Sequence, residues 1–167
     1  MRGYIKPCWN MEEFYNLPYK PAPFYSDDQI EEYVSSGHDK TNMIIYKYHE
    51  PSPMPSCIKE NIFPHFSYLK NITSAINLFK PAKYLPYHSD SYFRYKEVFN
   101  IKKDSIVRAV VMLEDWQPGQ IILIDNKSYS GWKSGEYWCW KNDTKHSFYN
   151  MSIFDRYSLQ ITGTILE

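Results

Sequence analysis

The chain has 167 residues, enough for one domain with its own core and no disulfide staples. Lys plus Arg and Asp plus Glu each number 19, so the formal net charge is zero, which speaks against a protein that coats a polyanion. Aromatic residues reach 18%, with 16 Tyr among them, and this excludes a disordered chain.

Residues 1–25 are rich in Pro and Tyr and read as an extended, irregular arm. Ser26-Asp27-Asp28 reads as an N-cap with acidic first-turn residues, opening a short helix from Gln29 to Ser36 that Gly37 stops. Asn42 to His49 is rich in Ile and Tyr and reads as a strand. Pro51, Pro53 and Pro55 make a rigid loop. Apolar residues then recur at Phe66, Leu69, Ile72 and Ile76, a spacing that predicts a helix over roughly 65–76.

Beyond about residue 75, short β-prone runs alternate with turn signals. The runs are Ile76–Phe79, Tyr84–His88, Ile106–Leu113, Gln120–Ile124, Glu136–Trp140, Ser147–Asn150 and Tyr157–Leu166. Such spacing predicts a sandwich or barrel. The expectation is a single domain, with an arm and helical support in 1–74 and a β core in 75–167.

Cys8, Cys57 and Cys139 are widely spaced and odd in number, which fits neither a disulfide framework nor a Cys-based zinc site. Met1 to Pro7 has no apolar signal region, and no apolar run approaches the roughly 18 residues that span a bilayer. The expected setting is cytoplasmic, with no membrane partner.

Of the five histidines, His38, His49 and His65 read as solvated or structural. His88 differs because Asp90 follows two residues later. In an extended strand, residues i and i+2 share a face, so an imidazole and a carboxylate can converge on one ion. A further nitrogen from a distant strand would complete a 2-His-1-carboxylate face with open positions, which suits non-haem Fe(II). His146, at the start of a β-like run, is the natural third ligand. Alone, His-x-Asp also arises in surface turns. Arg156 follows His146 by ten residues and shares a strand face with Ser158, while Tyr157, Leu159 and Ile161 share the other. A guanidinium beside a hydroxyl suits a carboxylate, although an arginine salt-bridged at a barrel edge fits the same pattern.

Together, His88-x-Asp90, the distal His146 and Arg156-x-Ser158 resemble the 2-oxoglutarate-dependent Fe(II) oxygenase superfamily, over roughly residues 75–165. The prolyl-4-hydroxylase-like and aspartyl/asparaginyl-hydroxylase-like branches are the nearest in pattern. The resemblance implies a mainly β fold with N-terminal helices, a double-stranded β-helix of jelly-roll, cupin-like type. It implies Fe(II) bound by His88, Asp90 and His146. It implies that Arg156, helped by Ser158, pairs with the distal carboxylate of 2-oxoglutarate. Asn77 matches an Asn that contacts the cosubstrate in some members, but the Tyr that follows it there is Phe79 here, so Tyr84 or Tyr87 would have to substitute. The glycine usual in the loop ahead of His-x-Asp is absent, with Ala82 nearby. Halogenating relatives lack the carboxylate ligand, so Asp90 favours hydroxylation.

The implied activity is that of a dioxygenase using dioxygen and 2-oxoglutarate, hydroxylating an amino-acid side chain in a peptide or protein, or a small molecule, with release of succinate and CO2. Arg94 either meets substrate at the mouth of the site or is a surface arginine. The tryptophans read as core or rim packing. Two alternatives stay open: an oxidative nucleic-acid demethylase, which the zero net charge disfavours, and a non-catalytic metal- or ligand-binding β-barrel.

Overall fold

The computed structural model describes residues 1–23, 27–101 and 105–166. In chain order it comprises β1 (Arg2–Tyr4), α1 (Glu12–Tyr15), β2 (Lys20–Pro23), α2 (Asp27–Ser35), β3 (Ile44–His49), β4 (Leu69–Phe79), β5 (Lys83–His88), α3 (Phe93–Phe99), β6 (Ile106–Met112), β7 (Gln120–Ile124), β8 (Lys127–Tyr129), β9 (Glu136–Lys141), β10 (His146–Asn150) and β11 (Arg156–Ile165). Ser26, expected as the cap of α2, lies outside the described residues. Among the described residues, no helix is long and apolar enough to cross a membrane.

The strands form two antiparallel sheets. One has seven strands in the order β1-β9-β6-β11-β4-β3-β2, and the other has four in the order β5-β10-β7-β8. The fold is mainly β, with the sheets face to face as in a jelly roll. The β-prone runs predicted beyond residue 75 all fall on observed strands; only the three-residue β8 went unpredicted.

The helix predicted over 65–76 does not form. A 3-10 turn covers Phe63–Phe66, and β4 then runs as an 11-residue strand. The reason is burial on both faces. β4 sits between β11 and β3, and Ser74 through Phe79 are all buried, so the period-two signature vanishes and the apolar spacing mimics a helix. The arm is also more ordered than expected. β1 pairs with β9, and β2 pairs with β3, closing the two edges of the large sheet. Pro21 and Pro23 are tolerated in β2 because it is an edge strand.

Two hydrophobic clusters follow from strand parity. Tyr157, Leu159 and Ile161 of β11, with Val107, Ala109 and Val111 of β6, pack outward against Ile5, Phe14, Ile58, Ile62 and Phe66. Val110 and Met112 of β6, Phe79, Leu85, Ile122, Trp132, Trp138, Trp140 and Phe148 fill the space between the sheets. The opposite face of β11 carries Arg156 and Ser158, as the alternation predicts.

The absent loop glycine has a local explanation. Lys83 N donates to Lys80 O at 3.1 Å, and Ala82 takes a φ of 62° after Pro81. That is a type II turn, whose third position normally favours glycine, and here alanine accepts the left-handed conformation.

Candidate metal centre

The cleft between the sheets is lined by Lys47, Asn77, Phe79, Leu85, His88, Asp90, Arg108, Val110, Trp140, His146, Phe148, Ser158 and Gln160, around about 380 Å³ of atom-free space. His88 ends β5 and His146 opens β10, and the two residues are directly paired. The register slips between His146 and Phe148, because Phe148 pairs with Leu85. This irregularity at Pro86-Tyr87 acts as a bulge and lets both Leu85 and His88 face the cleft. Pro86 is accepted there because β5 is the edge of its sheet.

One ligand atom from each of His88, Asp90 and His146 lies within 4.8 Å of the others. His88 Nε2 is 3.5 Å from Asp90 Oδ1, and His146 Nε2 is 3.6 Å from Asp90 Oδ2. The outer nitrogens are spoken for. His88 Nδ1 meets Pro86 O at 2.6 Å, and His146 Nδ1 meets Thr144 O at 3.0 Å. A carbonyl oxygen only accepts, so each Nδ1 carries the proton and, in the neutral ring, Nε2 presents a lone pair. Burial lowers the His146 imidazole to about 4, with His88 and Arg108 adding to the effect and Asp90 opposing it, so this ring is neutral at neutral pH. Neutral imidazole lone pairs facing a carboxylate repel unless a cation sits between them. The donor set therefore fits a metal ion that prefers imidazole and carboxylate.

Arg108 and Tyr92 support this group, and neither was expected from sequence. Arg108 Nη2 lies 3.1 Å from Asp90 Oδ2, and the guanidinium stacks 4.8 Å from the Tyr92 ring centroid. Burial pushes the Asp90 carboxyl up, but the Arg108 guanidinium beside it, with the neighbouring His88 and His146, outweighs that and holds it far below the usual carboxylate range. Asp90 is thus ionised and oriented. The clue was available: Arg108 sits in the apolar run Ile106-Val107-Arg108-Ala109-Val110, on the inward parity shared with Val110. Lys47 has the same kind of signature, two residues after the buried Ile45 on β3, and it lines the cleft. Burial, reinforced by Arg108 and opposed by Asp90, lowers its ammonium to about 8.

The other predicted site residues divide. Asn77 and Ser158 line the cleft and are buried. Tyr84 does not reach it; its hydroxyl is 2.9 Å from His38 Nδ1 and its ring stacks on Tyr149. Arg94 is exposed on α3 and lies outside the cleft lining. Trp140 packs 4.8 Å from the His146 ring and walls the cleft, while Trp132 and Trp138 are core.

Arg156 is 2% exposed, yet it does not line this cleft. Phe79 and Phe148, which do, lie at 4.1 and 5.4 Å from its guanidinium carbon. It lines a neighbouring cleft with Glu114, Gln117, Gln120 and Asp155. Its Nη1 donates to Tyr149 O at 3.4 Å, while Nε and Nη2 find no partner among the described residues. Burial alone lowers it to about 9. A buried cation without a counter-charge is held at a cost to stability, so Arg156→Met is expected to leave the ligand-free protein equally stable or to stabilise it by about 1 kcal/mol. Thermal melts check this, and a loss above about 2 kcal/mol would show that stacking on the two phenyl rings outweighs burial of the charge.

No protein-family model matches the chain, and no curated protein matches it. Solved structures do. A prolyl-4-hydroxylase from Pseudomonas putida is similar over 93% of this chain and 97% of its own, at 13% identity and a TM-score of 0.53. The cupin domain of Schizosaccharomyces pombe Cnp3 has a TM-score of 0.45 at 6% identity over 72% of this chain, which spans 61% of that chain's length. A predicted oxalate decarboxylase from Thermotoga maritima has a TM-score of 0.46 at 12% identity, over 74% of this chain and 88% of its own. The fold is a jelly roll of two antiparallel sheets, shared with the prolyl-4-hydroxylase. At these identities the likeness is one of fold.

Proposed function

We propose that the chain is a 2-oxoglutarate- and Fe(II)-dependent dioxygenase that hydroxylates a carbon in an amino-acid side chain of a peptide or protein, or in a small molecule. The observation that carries this reading is the convergence of His88, Asp90 and His146 in a buried cleft, with both Nδ1 atoms tied to backbone carbonyls and Asp90 held by Arg108. The similarity in fold to the Pseudomonas putida prolyl-4-hydroxylase supports it.

In this reading His88, Asp90 and His146 would hold Fe(II), as a 2-His-1-carboxylate donor set suits that ion. Bound Fe(II) with 2-oxoglutarate supplies the oxidising chemistry, in which dioxygen gives one oxygen atom to succinate and one to the hydroxylated carbon, with CO2 released. The protein contributes position and dryness. Arg108 keeps Asp90 ionised and aimed, the two backbone carbonyls fix the tautomers, and Phe79, Leu85, Val110, Trp140 and Phe148 exclude water.

The direct test is anaerobic. Fe(II) and 2-oxoglutarate added together are expected to give a metal-to-ligand charge-transfer absorption band that neither gives alone. Absence of the band while the protein still binds Fe(II) would overturn the cosubstrate assignment.

A further inference from the structure

A further cleft, with about 1140 Å³ of atom-free space, shares Trp140 with the metal cleft. Both free sheet edges bound it. β1 is an edge of the large sheet and supplies Arg2, and β8 is an edge of the small sheet and supplies Lys127 and Tyr129. The phase of the β1–β9 pairing leaves hydrogen-bonding groups open. Met1 and Cys139 exchange both backbone bonds at 2.8 Å, and Ile5 N donates to Gly135 O at 2.9 Å. In an antiparallel pair the intervening residues turn their N–H and C=O the other way, so those of Arg2 and Tyr4 face the free edge. An extended chain can pair there. The charge of the cleft is one-sided. Arg2, Lys127 and Lys141 line it against the single carboxylate of Asp125, in a chain whose formal net charge is zero. Glu136 pairs with Arg2, while Lys127 and Lys141 make no hydrogen bond or ion pair among the described residues. The wall also holds unused donors. Trp138 and Trp140 are 3% and 6% exposed, and neither indole N–H finds an acceptor among the described residues. A buried donor without an acceptor is costly, and an acceptor-rich guest relieves that cost.

We propose that this cleft docks an extended acidic peptide segment of a partner protein. The segment adds to the β1 edge by backbone hydrogen bonds and sets its carboxylates on Lys127 and Lys141. Backbone pairing supplies affinity, and the two ammonium groups select acidic side chains. Thr144, whose carbonyl accepts from His146 Nδ1, also lines the cleft, so a docked segment lies on the His146 side of the metal centre. The docking needs no metal and stands apart from the dioxygenase reading.

The test is fluorescence anisotropy of a dye-labelled peptide of about eight residues, Glu alternating with Val, titrated with the full chain. A twin peptide with Gln for Glu removes the charge alone. The Glu peptide is expected to bind at least about tenfold more tightly than its twin, and to weaken as salt rises. The double variant Lys127→Glu/Lys141→Glu is expected to lose about tenfold or more for the Glu peptide and little for the twin. Both lysines are exposed, so its thermal melt should match wild type. N-methylation of one alternate set of backbone nitrogens in the Glu peptide is expected to weaken it about tenfold, and of the other set little, as one-sided strand pairing requires. Equal binding of the two peptides, no binding of either, or unchanged binding by the double variant would overturn the proposal. Displacement of the Glu peptide by an equal concentration of glutarate, inorganic phosphate or an oligothymidine would overturn it too, as the mark of a site for another anion.

Discussion

Asp90→Ala is expected to weaken Fe(II) binding by at least about 100-fold and to leave no succinate formation above background. Two causes act together. The carboxylate is the only anionic member of the ligand set, and it lies within 3.6 Å of both Nε2 atoms. Without it, two imidazoles face each other with no anionic ligand to hold a divalent ion. The same substitution leaves Arg108, 3.1 Å from the missing carboxylate, as a buried cation without its partner. Stability of the metal-free protein should therefore fall, on the order of 3 kcal/mol. The two effects separate in the double variant Asp90→Ala/Arg108→Met. It should regain most of the lost stability, because no charge is left stranded, and none of the lost metal affinity. Metal titration and chemical denaturation read the two outcomes. Recovery of metal binding in the double variant would contradict Asp90 as a ligand.

Asn150→Ala should be the most damaging single change away from the ligands. Asn150 is fully buried at the end of β10. Its Nδ2 donates to Phe79 O at 2.7 Å and to Phe154 O at 2.8 Å, while its Oδ1 accepts from Ser152 Oγ at 2.6 Å and Ser152 N at 3.3 Å. One side chain thus ties the end of β4 to the turn that leads into β11. Removing it takes a donor from the Phe79 carbonyl and an acceptor from the Ser152 backbone N–H, and leaves the Phe154 carbonyl with only Ser152 Oγ at 3.0 Å among the side chains described. The expected loss is about 3 kcal/mol, or roughly 10 °C in Tm. Asn150→Asp keeps the acceptor but loses both donations, so it should lose a comparable amount. A melt within about 2 °C of wild type for the alanine variant would contradict this role.

The β core was legible because its strands are short, half-buried and separated by Gly, Pro, Asn and Ser turns, as between Gln120–Ile124 and Glu136–Lys141. β4 was not, because it is covered on both faces and its apolar spacing copies a helix. The arm was not, because the partners of β1 and β2 lie far away in sequence or on strands whose own pairing is invisible there. Within the site, His88, Asp90 and His146 were legible from residue type and order. The face-sharing argument does not describe how Asp90 is placed, because β5 ends at His88 and Asp90 follows it in a loop, while a bulge at Pro86-Tyr87 aims His88. Arg156 was found, but its place was not, because nothing in the sequence says that Phe79 and Phe148 fold over it. Arg108 and Lys47 were missed because each is a single charge in an apolar strand, meaningful only once its inward parity is known.

Under the proposed function, this cleft turns over 2-oxoglutarate on a metal held by His88, Asp90 and His146. The most direct measurement is succinate formed when oxygen is admitted to the Fe(II)-loaded protein with 2-oxoglutarate, run beside His88→Ala. The expected result is succinate and CO2 in equal amounts from wild type, dependent on Fe(II) and oxygen, and none from His88→Ala. Equal succinate from the two proteins, or none from a wild type that binds Fe(II) and 2-oxoglutarate, would contradict it.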